Sequence, residues 1–179
     1  MIETVVESIR VSLVTQHRVV ILREVEGDRH LPIWIGPFEA EAIAMVLQGV
    51  GSARPLPYDL LTNVVSELGA SVSRIVVSDL NQDVFYARIV LSHNGSEVTI
   101  DSRPSDAIAL AVRAKIPILV DEGVMDRAGI QLGDEDEDGE EGALSSEQYG
   151  EPVDEEQLSA FRDFIDSLDL DDFGKPRSG

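Results

Sequence analysis

The sequence predicts an α+β domain: a mixed, mainly antiparallel sheet packed with three to four helices, then a disordered acidic linker and a C-terminal amphipathic helix. Three observations carry that expectation. Strand-like runs come first, two helix-like runs follow, and further strands come after them, an order typical of α+β rather than of repeated βαβ units. Asn94-Gly95 stands between alternating apolar runs, the strongest short hairpin signal. Acidic residues crowd the end of the chain: residues 134–179 hold 17 Asp+Glu against 3 Lys+Arg, whereas residues 1–133 hold 17 against 11.

The elements follow in order. In residues 4–14, Ile9, Val11 and Leu13 alternate with Ser8, Arg10 and Ser12, the pattern of a half-buried strand. Residues 18–25 are rich in β-branched side chains and form a second strand, and 30–35 form a third beyond the turn at Glu26-Gly27-Asp28. Gly36-Pro37 ends that strand and opens a helix, because proline suits the first helical position. Ile43, Val46 and Leu47 give this helix its apolar face, and Gly49 closes it. Pro55 and Pro57 stiffen the next loop, and Leu60, Leu61, Val64, Val65 and Leu68 share one face of a second helix that ends at Gly69. Residues 71–80, 84–93 and 96–101 are strands, turning at 81–83 and at 94–95. A third helix opens at Pro104, residues 116–120 make a last short strand, and 122–130 a short helix or turn.

Residues 1–132 therefore form one domain. Residues 133–156 are too acidic and too low in complexity to bury a core and are expected to be disordered. Within 157–173, Leu158, Phe161, Phe164, Ile165 and Leu168 recur at the spacing of an amphipathic helix, and 174–179 are a disordered end.

Composition narrows the functions available. The 179 residues carry a net charge of −20 and are 43% apolar, enough for a core. There is no cysteine, which excludes disulfides and thiolate metal sites and suits a reducing cytoplasm. Glu3 and Glu7 stand where a secretory signal needs a basic and then an apolar stretch, and no uncharged apolar run is long enough to span a bilayer. The expected setting is cytoplasmic, with no membrane partner. The charge is the wrong sign for holding nucleic acid by phosphate neutralisation alone.

The richest motif is IDSRPSDAIALAVRAKIP, residues 100–117. Pro104 forces Arg103 into an extended backbone just outside a helix N-terminus, where unpaired N–H groups favour an anion and a guanidinium adds a forked phosphate donor. Asp101 and Asp106 are hard oxygen ligands suited to a divalent metal, Mg²⁺ or Mn²⁺, and Asp106 and Arg113 lie on one helix face. The same residues also serve as caps: Ser102 or Ser105 for the first N–H groups, with Asp106 and Lys115 complementing the helix dipole.

Glu39 and Glu41 fall in the first turn of their helix, where dipole complementation explains them and their two-residue spacing disfavours chelation by the pair alone. Arg54, Tyr58 and Asp59 sit at a loop–helix junction and gain functional weight if that loop meets the 101–106 turn in space. Trp34 reads as a core or interface anchor, and His17, His30 and His93 stand singly, without metal-ligand spacing. Hydrolase-triad, P-loop and dinucleotide motifs are absent from the sequence.

Taken together, LPIWIGPFEAEAIA, RPLPYDLL, VFYARIVL and above all IDSRPSDAIALAVRAKIPI resemble the bifunctional nuclease domain family in order and spacing across residues 2–132. The resemblance implies an α+β domain that hydrolyses RNA and DNA with little sequence preference. It puts Asp101, Arg103, Ser105 and Asp106 at stake, with Glu39 and the stretch from Arg54 to Asp59 as neighbours. Family members commonly have Thr-His before the aspartate of the second helix, where this chain has Pro57-Tyr58. A phenol is a poor general base at neutral pH.

Two expectations follow. In one, Asp101, Arg103 and Asp106 are catalytic. Arg54, Arg103, Ser105 and Arg113 bind single-stranded RNA or DNA, and Asp101, Asp106, Asp59 and Glu39 hold the metal. In the other, the chain is a non-catalytic binding module whose acidic tail and terminal helix engage a protein partner or shield the body itself. A homodimer is expected in either case, since a single small sheet needs its second face covered.

Overall fold

The computed structural model describes residues 1–11 and 17–131. The acidic linker, the C-terminal amphipathic segment and the chain end expected from the sequence lie outside them. The elements are β1 (Ile2–Val11), β2 (Arg18–Glu24), β3 (Arg29–Ile35), α1 (Pro37–Leu47), α2 (Pro57–Glu67), β4 (Ala70–Asn81), β5 (Val84–His93), β6 (Ser96–Ser102), α3 (Pro104–Ala114), β7 (Ile118–Val120), α4 (Glu122–Ala128) and β8 (Ile130–Gln131). The strands form one sheet in the order β6-β5-β4-β7-β1-β2-β3-β8, parallel only where β4 meets β7. With four helices beside it, this is the α+β architecture expected.

Turn chemistry sets the register of the long hairpins. Gln82 and Asp83 have φ of 48° and 60°, and Asn94 and Gly95 have 50° and 76°. Two consecutive positive φ values make a turn whose twist matches that of the flanking strands. Hence β5 pairs antiparallel with β4 on one side, with two register shifts, and in unbroken register with β6 on the other.

α3 is the centre of the domain. Pro104, Ser105 and Ala107 through Ala111 are all buried, with Ile108 and Leu110 at 0% and 1% exposure. The helix packs on β3, β4 and β5 and is flanked by α1 and α2. β3 and β4 stand four strand steps apart in the sheet. That is about 19 Å if flat, wider than a helix, so the sheet must curl around α3. Irregular registers in β1 at Val6/Ser8 and in β4 at Val72/Arg74 and Val77/Asp79 supply the bends.

The core beneath the helices takes every second strand residue: Val20 and Leu22 from β2, Leu31 and Ile33 from β3, Ile75 and Val77 from β4. Val19 and Ile21 are buried as well, so β2 is covered on both faces. Trp34 corrects the core reading: it is 53% exposed and packs edge-on against His17, centroids 5.6 Å apart. Its alternate neighbours Leu31 and Ile33 point to the core, so Trp34 belongs to the other face.

Removing side-chain volume from α3 tests its central position. Leu110→Ala is expected to lower stability by about 2–5 kcal/mol, since the pocket has little room to collapse. Urea unfolding should show this as a lower midpoint at unchanged slope.

Candidate functional site

Three helix starts follow one local rule. α1 opens Gly36-Pro37-Phe38-Glu39, α2 opens Leu56-Pro57-Tyr58-Asp59 and α3 opens Arg103-Pro104-Ser105-Asp106. In each, proline takes the first helical position, where a missing N–H costs nothing, and an acid takes the third, inside the field of the helix dipole. None of the three N-cap residues uses a side chain to cap. In α2, Asp59 compensates by reaching back, its Oδ2 accepting from the Leu56 N–H at 2.8 Å. Neither serine caps α3, contrary to expectation: Ser102 Oγ donates to the Arg103 carbonyl at 3.0 Å, and Ser105 is buried at the second helical position.

The three starts meet. Arg103 Nε donates to Asp106 Oδ2 at 2.7 Å, and Arg103 Nη2 donates to Glu39 Oε1 at 2.6 Å. The Tyr58 hydroxyl donates to Asp106 Oδ1 at 2.8 Å, so both Asp106 oxygens are engaged. α1, α2 and α3 thus each send one first-turn side chain to a network centred on the N-cap arginine of α3. Arg103 remains 68% exposed, whereas Glu39 keeps only 12%. The guanidinium faces water and its carboxylate partners lie behind it.

About two turns deeper, Arg113 Nη1 bonds both oxygens of Asp59 at 2.7 and 2.8 Å, and Nη2 reaches the Ala42 carbonyl at 3.4 Å. Asp106 and Arg113 share a face of α3, and the consecutive residues Tyr58 and Asp59 of α2 bind one each. The first turn of α2 and the polar face of α3 therefore do meet in space.

Proton affinities follow from these contacts. Burial, and then the bond to Asp106 and its charge, push the Tyr58 phenol well above its usual range, so it stays a donor. Bonds to Asp106 and Glu39 hold Arg103 more firmly protonated than a free guanidinium. The Leu56 N–H, and then Arg113, hold Asp59 below the usual carboxylate range.

The remaining expected residues are placed differently. Asp101 lies exposed on β6 opposite Arg88 and takes no part in the network. Arg54 is exposed in the loop before α2. The four expected metal carboxylates do not gather: Asp59 is taken by Arg113, Asp101 stands apart, and only Glu39 and Asp106 converge, on Arg103. Among the described residues no three Asp, Glu, His or Cys side chains are grouped as a metal site. His30 is buried, with Nδ1 3.0 Å from the Asp28 carbonyl oxygen and Nε2 3.4 Å from Glu7 Oε1. Tyr58 is the member that sequence reasoning undervalued. The recurring proline-X-acid openings were the available signal.

The Asp59–Arg113 pair yields a test. Asp59→Ala leaves Arg113, 11% exposed, without its anion. The expected cost is about 1–3 kcal/mol, below that of a fully buried pair because Asp59 still sees water. Since its folded pKa lies below the unfolded one, the stability that Asp59 contributes is complete above about pH 4 and is lost as pH falls through the folded value. Asp59→Asn should flatten that part of the acid-unfolding curve.

Comparison with known proteins adds relatives to this geometry. The bifunctional nuclease domain family matches residues 20–133, from within β2 past β8. An uncharacterized protein of Mycobacterium tuberculosis is 39% identical over 171 residues, covering 96% of this chain and 97% of its own. Bifunctional nuclease 1 of Arabidopsis thaliana is 34% identical over 108 residues, 58% of this chain and 33% of its own. Bifunctional nuclease 1 of Oryza sativa subsp. japonica is 27% identical over 119 residues, 65% of this chain and 36% of its own. The chain thus spans about a third of the length of these plant relatives. No described helix is long and apolar enough to cross a membrane. With the matched segment containing every residue of the Arg103 network, the chain belongs to the bifunctional nuclease domain family.

Proposed function

We propose that this chain hydrolyses phosphodiester bonds in single-stranded RNA and DNA, binding the reacting phosphate at Arg103. The observation that carries the reading is the exposed guanidinium at the meeting of three helix starts, backed by two carboxylates. A guanidinium fork matches two phosphate oxygens, and helix N-termini add partial positive charge without mobile ions. Residues 1–133 carry a net −6, so binding is local rather than driven by overall charge. With one or two phosphates of a single strand engaged, log affinity falls against log salt with a slope of only about −0.7 to −1.4.

A phosphate at Arg103 competes with Glu39 and Asp106 for the same N–H groups. The released carboxylate then faces the phosphate and is placed to take a proton from a water whose oxygen bonds to phosphorus, as the leaving oxygen separates and takes a proton from solvent. Tyr58 keeps its proton and holds Asp106 in position. Two carboxylates and a substrate phosphate are a donor set that Mg²⁺ ordinarily accepts. With a divalent ion present, Glu39 and Asp106 would instead hold it, and it would supply charge neutralisation and a more acidic water in place of the carboxylate base.

The test is cleavage of end-labelled single-stranded RNA and DNA by the full chain, with Mg²⁺, with Mn²⁺ and with chelator. Arg103→Ala, at an exposed position that leaves the core intact, is expected to lower the rate about 10²–10³-fold. Equal cleavage by this variant, or none by the wild type under any condition, would defeat the proposal. Binding without cleavage would turn the reading to a non-catalytic module.

A further inference from the structure

Beside its exposed polar residues Asn63, Ser66 and Glu67, α2 turns an apolar strip to the outside. Leu60, Leu61, Val64 and Leu68 are 57%, 41%, 46% and 70% exposed. Beside them lies the outer edge of the sheet. α2 leads through Gly69 into Ala70, which pairs with His93, and His93 pairs with Ser96 at the start of β6. At its other end α2 is tied by Tyr58 to Asp106, just beyond the end of β6. α2 therefore starts near the end of β6 and finishes near its beginning, with its own packing on β4 and α3. Val98 and Ile100 of β6, 44% and 46% exposed, point to the α2 side, because their cross-strand partners Leu91 and Ile89 belong to the core under the helices.

Among the described residues β6 is the terminal strand of the sheet, seven residues long, and the strand itself carries none of the usual edge guards. It has no proline and no lysine, and its acids lie on the other face, Glu97 bonded twice to Arg74 at 2.6 and 2.9 Å and Asp101 opposite Arg88. The six apolar side chains leave on the order of 500 Å² in one patch, the upper range for a monomer. A stable interface needs about 800 Å² per partner, to which the patch and the backbone of a paired strand would both contribute.

We propose that this face is covered by a second copy of the chain. One partner must supply both a strand for the β6 edge and an apolar helix for α2, on the same side of the sheet. A two-fold axis perpendicular to the sheet does this: β6 pairs antiparallel with β6 of the copy, and α2 meets α2 across the axis. The interface joins the sheets edge to edge, rather than covering the second face as the sequence had suggested.

Light scattering on the full chain tests it. The wild type is expected at about twice the 19.5 kDa of one chain. Leu60→Glu with Val64→Glu, and separately Val98→Lys, should return the monomer with unchanged far-UV circular dichroism. Because the chain has no cysteine, Leu61→Cys supplies one thiol near the axis and should form a disulfide-linked dimer on mild oxidation, while Glu41→Cys on exposed α1 should not. A monomeric wild type at tens of micromolar, or a dimer that survives both charge variants, overturns the proposal.

Discussion

The rest of the domain depends on the burial of α3. A helix enclosed from Pro104 to Ala111 has nowhere to place polar groups except at its ends and along one strip, Asp106 to Arg113. Its first N–H groups cannot all be left to water. Proline removes one of them, the Asp106 carboxylate answers the dipole, and Arg103 stands outside as the N-cap. The carboxylate and guanidinium then need partners of their own, which α1 and α2 bring. Glu39, Tyr58 and Asp59 are thus as much a consequence of the buried helix as the alanines that let the sheet close around it.

Much of this was legible in the sequence, for reasons of period and turn chemistry. Alternation located the strands, Asn94-Gly95 located a hairpin, and prolines after Gly36 and Arg103 marked two helix starts, whereas Pro57, read as part of a loop, opens α2 as well. What stayed hidden was distance. Tyr58 and Asp106 are 48 residues apart, and nothing local shows that α2 delivers one to the other. The sheet's curl was equally invisible, since it comes from register irregularities that only pairing reveals. The serines of the SRPSD turn misled because capping propensity is a local average. Here the buried second position of α3 takes Ser105 out of the role, and Ser102 turns to a carbonyl.

An acidic protein in a nuclease family sets an electrostatic problem that the Arg103 network addresses locally. A net −6 over residues 1–133 repels a polyanion at long range, so the proposed recognition would rest on contact geometry. An arginine already paired with two carboxylates is held in place, and in the proposed reading a phosphate would exchange one anionic partner for another. β6 links the two proposals: its edge offers itself to a second copy, and Ser102, its last residue, leads directly into Arg103.

The most direct measurement follows the Nε–Hε signals of the arginines in the ¹⁵N-labelled full chain as a phosphorothioate dinucleotide is added. The account predicts a saturable shift at Arg103 with Arg113 unmoved, because Arg113 is held inside by Asp59. A shift confined to other arginines, with Arg103 still, would contradict it.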